Sequence, residues 1–181
     1  HLTEACDEDL PMLITNVNTT LATTQDFDAI AGVHKSLQKR NLLPKEHLVD
    51  MGFISAQTLV DANKDHGVDL VGPARRDERW QAWKGEGFSA EHVNVDWEAQ
   101  TVTCPAGKTS TSWTAMNNTK GKPVFRVRFP LRDCKPCAFR SSCTTAKART
   151  VTLQVREHHE ALVAARAREE TDAFKLLYAK R

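Results

Sequence analysis

The chain has 181 residues, 40% of them hydrophobic and 27% charged, with a formal net charge of +2. That size suits one medium domain, or a core carrying a smaller insert. No apolar run reaches the roughly 18 residues needed to cross a membrane, and no signal peptide opens the chain, so a reducing cytoplasm is expected.

In chain order, residues 1–18 read as two strands around a turn. Leu13-Ile14-Thr15-Asn16-Val17 is rich in β-formers, and Asp7, Asp9 and Pro11 punctuate it. Asp26 reads as an N-cap, and Phe27, Ile30, Ala31, His34 and Leu37 fall at helical spacing over 27–40. Glu46-His47-Leu48-Val49 is a short strand that delivers Asp50 to its C-terminal end, with Gly52 close behind. Ser55 caps the next helix, Gly67 ends it, and Val68-Asp69-Leu70-Val71 is the following strand. Strand, helix and strand at this spacing predict a βαβ unit with a parallel pair.

The character changes after Pro73. Residues 75–92 are polar and carry Trp80 and Trp83. Val93 to Trp97 and Thr101 to Thr103 predict a hairpin feeding Cys104, and Val124 to Phe129 alternates, with Arg126 and Arg128 opposite Phe125, Val127 and Phe129. From about Arg156 to Arg181 the pattern is that of a long amphipathic helix. The expected organisation is a core over 1–74, a β-rich insert over 75–150 and a long helix returning to the core over 151–181.

Cys104, Cys134, Cys137 and Cys143 form the most specific motif. Cys134-Lys-Pro-Cys137 is a tight C-x-x-C turn, and Cys104 lies in a second compact turn. Four thiolates suit tetrahedral Zn²⁺; disulfides or unrelated buried thiols are the alternatives. With two strand pairs each delivering cysteines from a turn, the expectation is a zinc-ribbon-like insert. Cys6 stands apart as a plain small hydrophobe.

The modest net charge conceals an asymmetry. Residues 120–149 hold nine basic side chains against one acid, Asp133, so this block carries +8 and the rest of the chain −6. Such a block suggests a polyanion partner, nucleic acid above all; a solvated face offsetting thiolate charge is the alternative.

Two further features invite chemistry. Asp50 stands at the C-terminal end of a strand, the rim where α/β sheets place their sites, although many such aspartates merely cap a turn. Tyr178-x-x-Arg181 sets an aromatic hydroxyl beside a guanidinium at i and i+3, an arrangement suited to phosphate.

Taken jointly, His1-Leu-Thr-Glu-Ala-Cys-Asp-Glu-Asp-Leu10, Glu46-His-Leu-Val-Asp-Met-Gly-Phe53, Asp69-Leu-Val-Gly-Pro73, Cys134-Lys-Pro-Cys137 and the terminal Tyr178-x-x-Arg181 carry a resemblance. The chain resembles, over essentially its whole length, the DDE transposases of bacterial insertion sequences. These have a ribonuclease-H-like core, here with a cysteine-rich insert before the last catalytic helix.

The resemblance implies a mixed α/β fold and two-metal phosphodiester hydrolysis and strand transfer at transposon ends. Asp50 matches the family's second catalytic aspartate, a ligand of Mg²⁺ or Mn²⁺. Tyr178 and Arg181 match its tyrosine-arginine-glutamate signature, whose glutamate would fall four residues after Arg181. The first aspartate would precede His1. Asp7 and Asp9 are read as turn formers instead.

Since the chain opens on His1 inside a strand and stops inside a helix, the expectation is an internal fragment, inactive alone. Transposon-end and target DNA are the implied partners, with no membrane. A homodimer on DNA and a cytoplasmic, nucleoid-associated location in a bacterium are implied as well. In some relatives the insert stacks on an extruded base; Trp80 and Trp83 are the candidates here, while Trp97 alternates with Val93 and Val95 as core. Arg126 and Arg128 could straddle phosphates. The competing expectation is a non-catalytic, zinc-ribbon DNA-binding remnant of a transposase.

Overall fold

A computed structural model describes residues 1–6 and 11–181; Asp7 and Asp9, the expected turn formers, lie outside the described residues. In chain order the first half comprises β1 (Leu2–Glu4), β2 (Ile14–Val17), α1 (Asp26–Lys39), β3 (Glu46–Leu48), α2 (Ala56–His66), β4 (Asp69–Val71) and α3 (Trp80–Lys84). There follow β5 (Asn94–Asp96), β6 (Thr101–Thr103), β7 (Ser112–Asn117), β8 (Pro123–Arg128), α4 (Leu131–Cys134), α5 (Arg140–Cys143), β9 (Thr150–Gln154), α6 (Arg156–Glu169) and α7 (Asp172–Tyr178). The class is mixed α/β. The chain divides into two compact units: His1–Arg75 with Glu157–Arg181, and Arg76–Arg156.

In the first unit β1 and β2 pair antiparallel, Leu2 opposite Val17. Separately, β3 and β4 pair in parallel, His47 opposite Leu70, and the Val49 amide prolongs the ladder to the Val71 carbonyl at 2.8 Å. A parallel pair needs a crossover, and α2 supplies it. Its ends are set by local chemistry. The Ser55 hydroxyl accepts the Thr58 amide while Thr58 Oγ1 accepts the Ser55 amide, a closed capping box. At the other end Gly67 adopts φ 65°, and the Gly67 and Val68 amides return to the Asn63 and Ala62 carbonyls.

Helix α1 buries Ala29, Ile30, Val33, His34 and Leu37 along one stripe. It begins one residue earlier than the sequence suggests. Gln25, with no side-chain cap bond, holds the cap position; Asp26 and Asp28 instead lie in the first turn, where their charge favours the helix dipole. Ile30, Val49, Ile54, Ala62, Val68, Leu70 and Ala74 form the core, with Leu162 and Ala165 of α6 packed against it.

The long terminal helix expected from the sequence is in fact two. The Thr171 hydroxyl accepts the Phe174 amide at 3.2 Å and donates to the Arg168 carbonyl at 2.7 Å, ending α6 and opening α7. Helix α7 stops at Tyr178, so Arg181 lies beyond it.

In the second unit β5 and β6 form the expected hairpin. The rest differs from a ribbon of two hairpins: β7, β8 and β9 make one three-stranded antiparallel sheet with β8 central. Strand β9 was not anticipated, although Val151 and Leu153 are buried and Thr150, Thr152 and Gln154 exposed, a period of two. Val102, Val127, Phe129, Val151 and Leu153 are the core. Trp97, Trp113 and Phe125 pack on it as an aromatic cluster, the Trp97 and Trp113 rings 5.4 Å apart edge to face.

Candidate functional site

The end of β3 is the first site. Asp50 follows Val49 in extended conformation, just before a single 3-10 turn over Met51–Phe53. Gly72 lets this end close up, because a Cβ there would run into the Val49 carbonyl. That carbonyl accepts the Tyr178 hydroxyl at 3.3 Å. Arg181 then donates to the Tyr178 oxygen at 3.1 Å and to Asp50 Oδ2 at 2.5 Å. Stacking of Tyr178 on Phe174, which is buried, steadies the aromatic ring. Burial works against the charge on Arg181, but Tyr178 and Asp50 hold its pKa above the ordinary value.

Asp50 and the Tyr178-x-x-Arg181 pair, separate candidates by local pattern, are therefore one network. Both charged side chains stay solvent-accessible, 58% for Asp50 and 42% for Arg181. The network latches the C-terminal helix to the strand end and presents a guanidinium to solvent beside a carboxylate.

Below this rim α1 and α2 meet β3 through histidines. His34 is buried, and its Nε2 lies 2.9 Å from His47 Nδ1. The His66 ring stands edge-on to His34 at 5.4 Å. Burial, and then the neighbouring His47 and His66, push the His34 pKa down to about 4; burial lowers that of His47. By helical spacing alone His34 is only one residue of the apolar stripe. The charged side chain of Arg168 on α6 reaches Asp69 at 2.7 Å and Glu46 at 3.8 Å, clamping the two parallel strands.

The four cysteines are the second site. Cys104, Cys134, Cys137 and Cys143 line one cavity of about 20 Å³, together with Phe88, Phe129 and Arg149. All four are free thiols and none is fully buried. Burial raises the Cys143 pKa, against the pull of Arg149. Arg149 is itself buried, and burial pushes its pKa down. Its side chain donates to the Cys143 carbonyl at 2.5 Å and to the Phe88 carbonyl at 3.3 Å, while its amide donates to Cys134 Sγ at 3.5 Å. Counting Arg149 in a basic surface block missed this role. The signal was its parity with the buried Val151 and Leu153. Among the described residues no group of three or more His, Cys, Asp or Glu side chains is arranged to hold a metal ion.

The remaining candidates belong to the second unit. Arg126 and Arg128 share the outer face of β8, opposite the core-facing Phe125 and Val127. Trp83 is 81% exposed and Trp80 36%, and Lys84 sits over the Trp80 ring at 5.9 Å. No helix among the described residues is long and apolar enough to cross a membrane.

Against known proteins the finding is specific but partial. Residues 103–181 match the model of the transposase DDE domain family. The matched stretch contains all four cysteines of the second site, the β7–β8–β9 sheet, and both Tyr178 and Arg181. It supports a DDE transposase. Asp50 lies outside the match and enters through its contact with Arg181. No curated protein and no solved structure matches the chain.

Proposed function

We propose that this chain is part of a DDE transposase of insertion-sequence type, acting in the bacterial cytoplasm on transposon-end and target DNA, by phosphodiester hydrolysis and strand transfer. The observation that carries the reading is the contact of Asp50 with Arg181. It joins the strand-end carboxylate to the transposase-like stretch at the Tyr-x-x-Arg motif. In this reading the first unit is the ribonuclease-H-like core, with Asp50 one of its metal-holding carboxylates, and the second is the zinc-bearing insert.

Transposases of this kind use divalent metal. The described residues do not by themselves fit a Mg²⁺ or Mn²⁺ pair, which needs several converging carboxylates. Asp50 faces Arg181, and no group of three acidic or other metal-binding side chains surrounds it. What the chain's own residues offer here is narrower. Tyr178 orients the guanidinium, and Arg181 can release Asp50 to meet a phosphate oxygen bidentately.

For Zn²⁺ the support is the chemistry of the donors, four free thiols lining one small cavity with the Arg149 amide directed at Cys134 Sγ; in the arrangement described, no three of them are gathered to hold the ion. Bound zinc would supply structural cross-linking and no chemistry, with Cys104, Cys134, Cys137 and Cys143 as ligands. The basic block, with Arg126 and Arg128, and the exposed Trp80 and Trp83 would hold DNA through phosphate contact and base stacking.

The test is to present the complete protein containing this chain with duplex DNA and then add Mg²⁺. Binding followed by nicking at defined ends supports the reading. Binding without any nicking favours a DNA-binding remnant, and failure to bind DNA at all contradicts the proposal.

A further inference from the structure

We infer that the outer face of the β7–β8–β9 sheet grips one phosphodiester backbone of DNA without reading its bases, an inference that rests on the DNA reading above. The register assembles the face. Arg126 stands between Thr114 on β7 and Thr152 on β9, and Arg128 between Ser112 and Thr150. Strand alternation sets these six residues on one side, since Phe125, Val127, Val151 and Leu153 fill the other. Arg128, Thr114, Thr150 and Thr152 are exposed.

Charge makes the face unusual. The three strands contain no Asp or Glu, and neither the Arg126 nor the Arg128 side chain has a hydrogen-bond or ion-pair partner among the described residues. Solvated protein surfaces ordinarily mix both signs. Here two arginines, their Cα atoms about 7 Å apart at i and i+2 on one strand, stand on acid-free strands, flanked on both sides by hydroxyl donors. The stripe continues through exposed Lys122 and Lys120 in the β7–β8 turn, whose amides bond Asn118 Oδ1. A row of cations with hydroxyls beside it matches a row of phosphates, whose oxygens take hydrogen bonds from guanidinium and hydroxyl groups alike.

Shape sets the mode of contact. The major groove admits a helix or a two-stranded ribbon. In this sheet the arginines sit on the central strand, so β7 and β9 hold them back from base edges. Contact is therefore with the backbone along β8, which makes affinity sensitive to salt and indifferent to sequence.

The test is fluorescence anisotropy of two duplexes of unrelated sequence, read from about 50 to 200 mM salt. The proteins are the wild-type chain, Arg126→Gln/Arg128→Gln and Arg126→Lys/Arg128→Lys, with circular dichroism confirming the fold of each. The inference predicts that the Gln pair reduces the slope of log affinity against log salt by about 2, one unit per lost phosphate contact, equally on both duplexes. The Lys pair retains the slope. An unchanged slope in the folded Gln variant, or a loss confined to one sequence, overturns this inference alone. A wild-type chain that binds neither duplex overturns it together with the DNA reading.

Discussion

Arg181 donates to the Asp50 carboxylate at 2.5 Å across 131 positions of sequence. Two features that are weak in isolation, a strand-end aspartate and a terminal arginine, become one site through that bond. Because both partners are accessible to solvent, the bond orients more than it stabilises. A double-mutant cycle over Asp50→Asn and Arg181→Gln should give a coupling of about 0.2–1 kcal/mol at low salt, fading as salt rises. Urea unfolding of the four proteins measures it, and a coupling above about 2 kcal/mol would show a desolvated pair instead.

Tyr178→Phe should cost more than loss of the ion pair, since it removes the hydroxyl that meets the Val49 carbonyl and holds Arg181. The expected destabilisation is about 1 kcal/mol, with the Phe174 stack retained. Thermal unfolding of the variant checks this.

Acid should loosen the first unit at its histidines. The folded pKa of His34, about 4, lies below the unfolded value of 6.5. Between those values the unfolded chain binds the proton and the folded chain does not. Stability is therefore fully present above pH 6.5 and falls as pH drops through that window toward 4. The loss attributable to His34 is on the order of 3 kcal/mol. His47, also lowered by burial, adds in the same direction. Urea midpoints across this range should fall steeply in the wild type and less steeply in His34→Gln.

Gly72 is required for its missing side chain. A Cβ there meets the Val49 carbonyl and the Ile54 side chain at 3.1 Å. Gly72→Ala should destabilise by about 1–3 kcal/mol, read as a fall in the urea midpoint. It should also weaken the Tyr178 bond to the same carbonyl.

Sequence showed some of this clearly and hid the rest for physical reasons. Ser55 and Gly67 bound α2 by local hydrogen bonds and backbone conformation, so their residue types declare the helix ends. The parallel strands follow from the crossover length. Strand β9 was hidden between a cysteine turn and a helix, its five-residue alternation too short to stand out beside the 26 residues of helical pattern after it. The break at Thr171 was masked because the apolar spacing continues through it, while the cap is a single hydroxyl. Arg149 and the meeting of Asp50 with Arg181 depend on tertiary contact, which no local pattern records. The cysteines were legible as a set by spacing. Their gathering around one cavity is a property of the fold.

The most direct test of the transposase reading compares DNA binding and Mg²⁺-dependent DNA cleavage by the complete transposase containing this chain and by its Asp50→Asn variant. Asp50→Asn should bind duplex DNA within a few-fold of wild type, because phosphate contact belongs to the basic face and the arginines. Cleavage should be lost. Wild-type levels of cleavage in Asp50→Asn would contradict the assignment of Asp50, and with it the transposase reading.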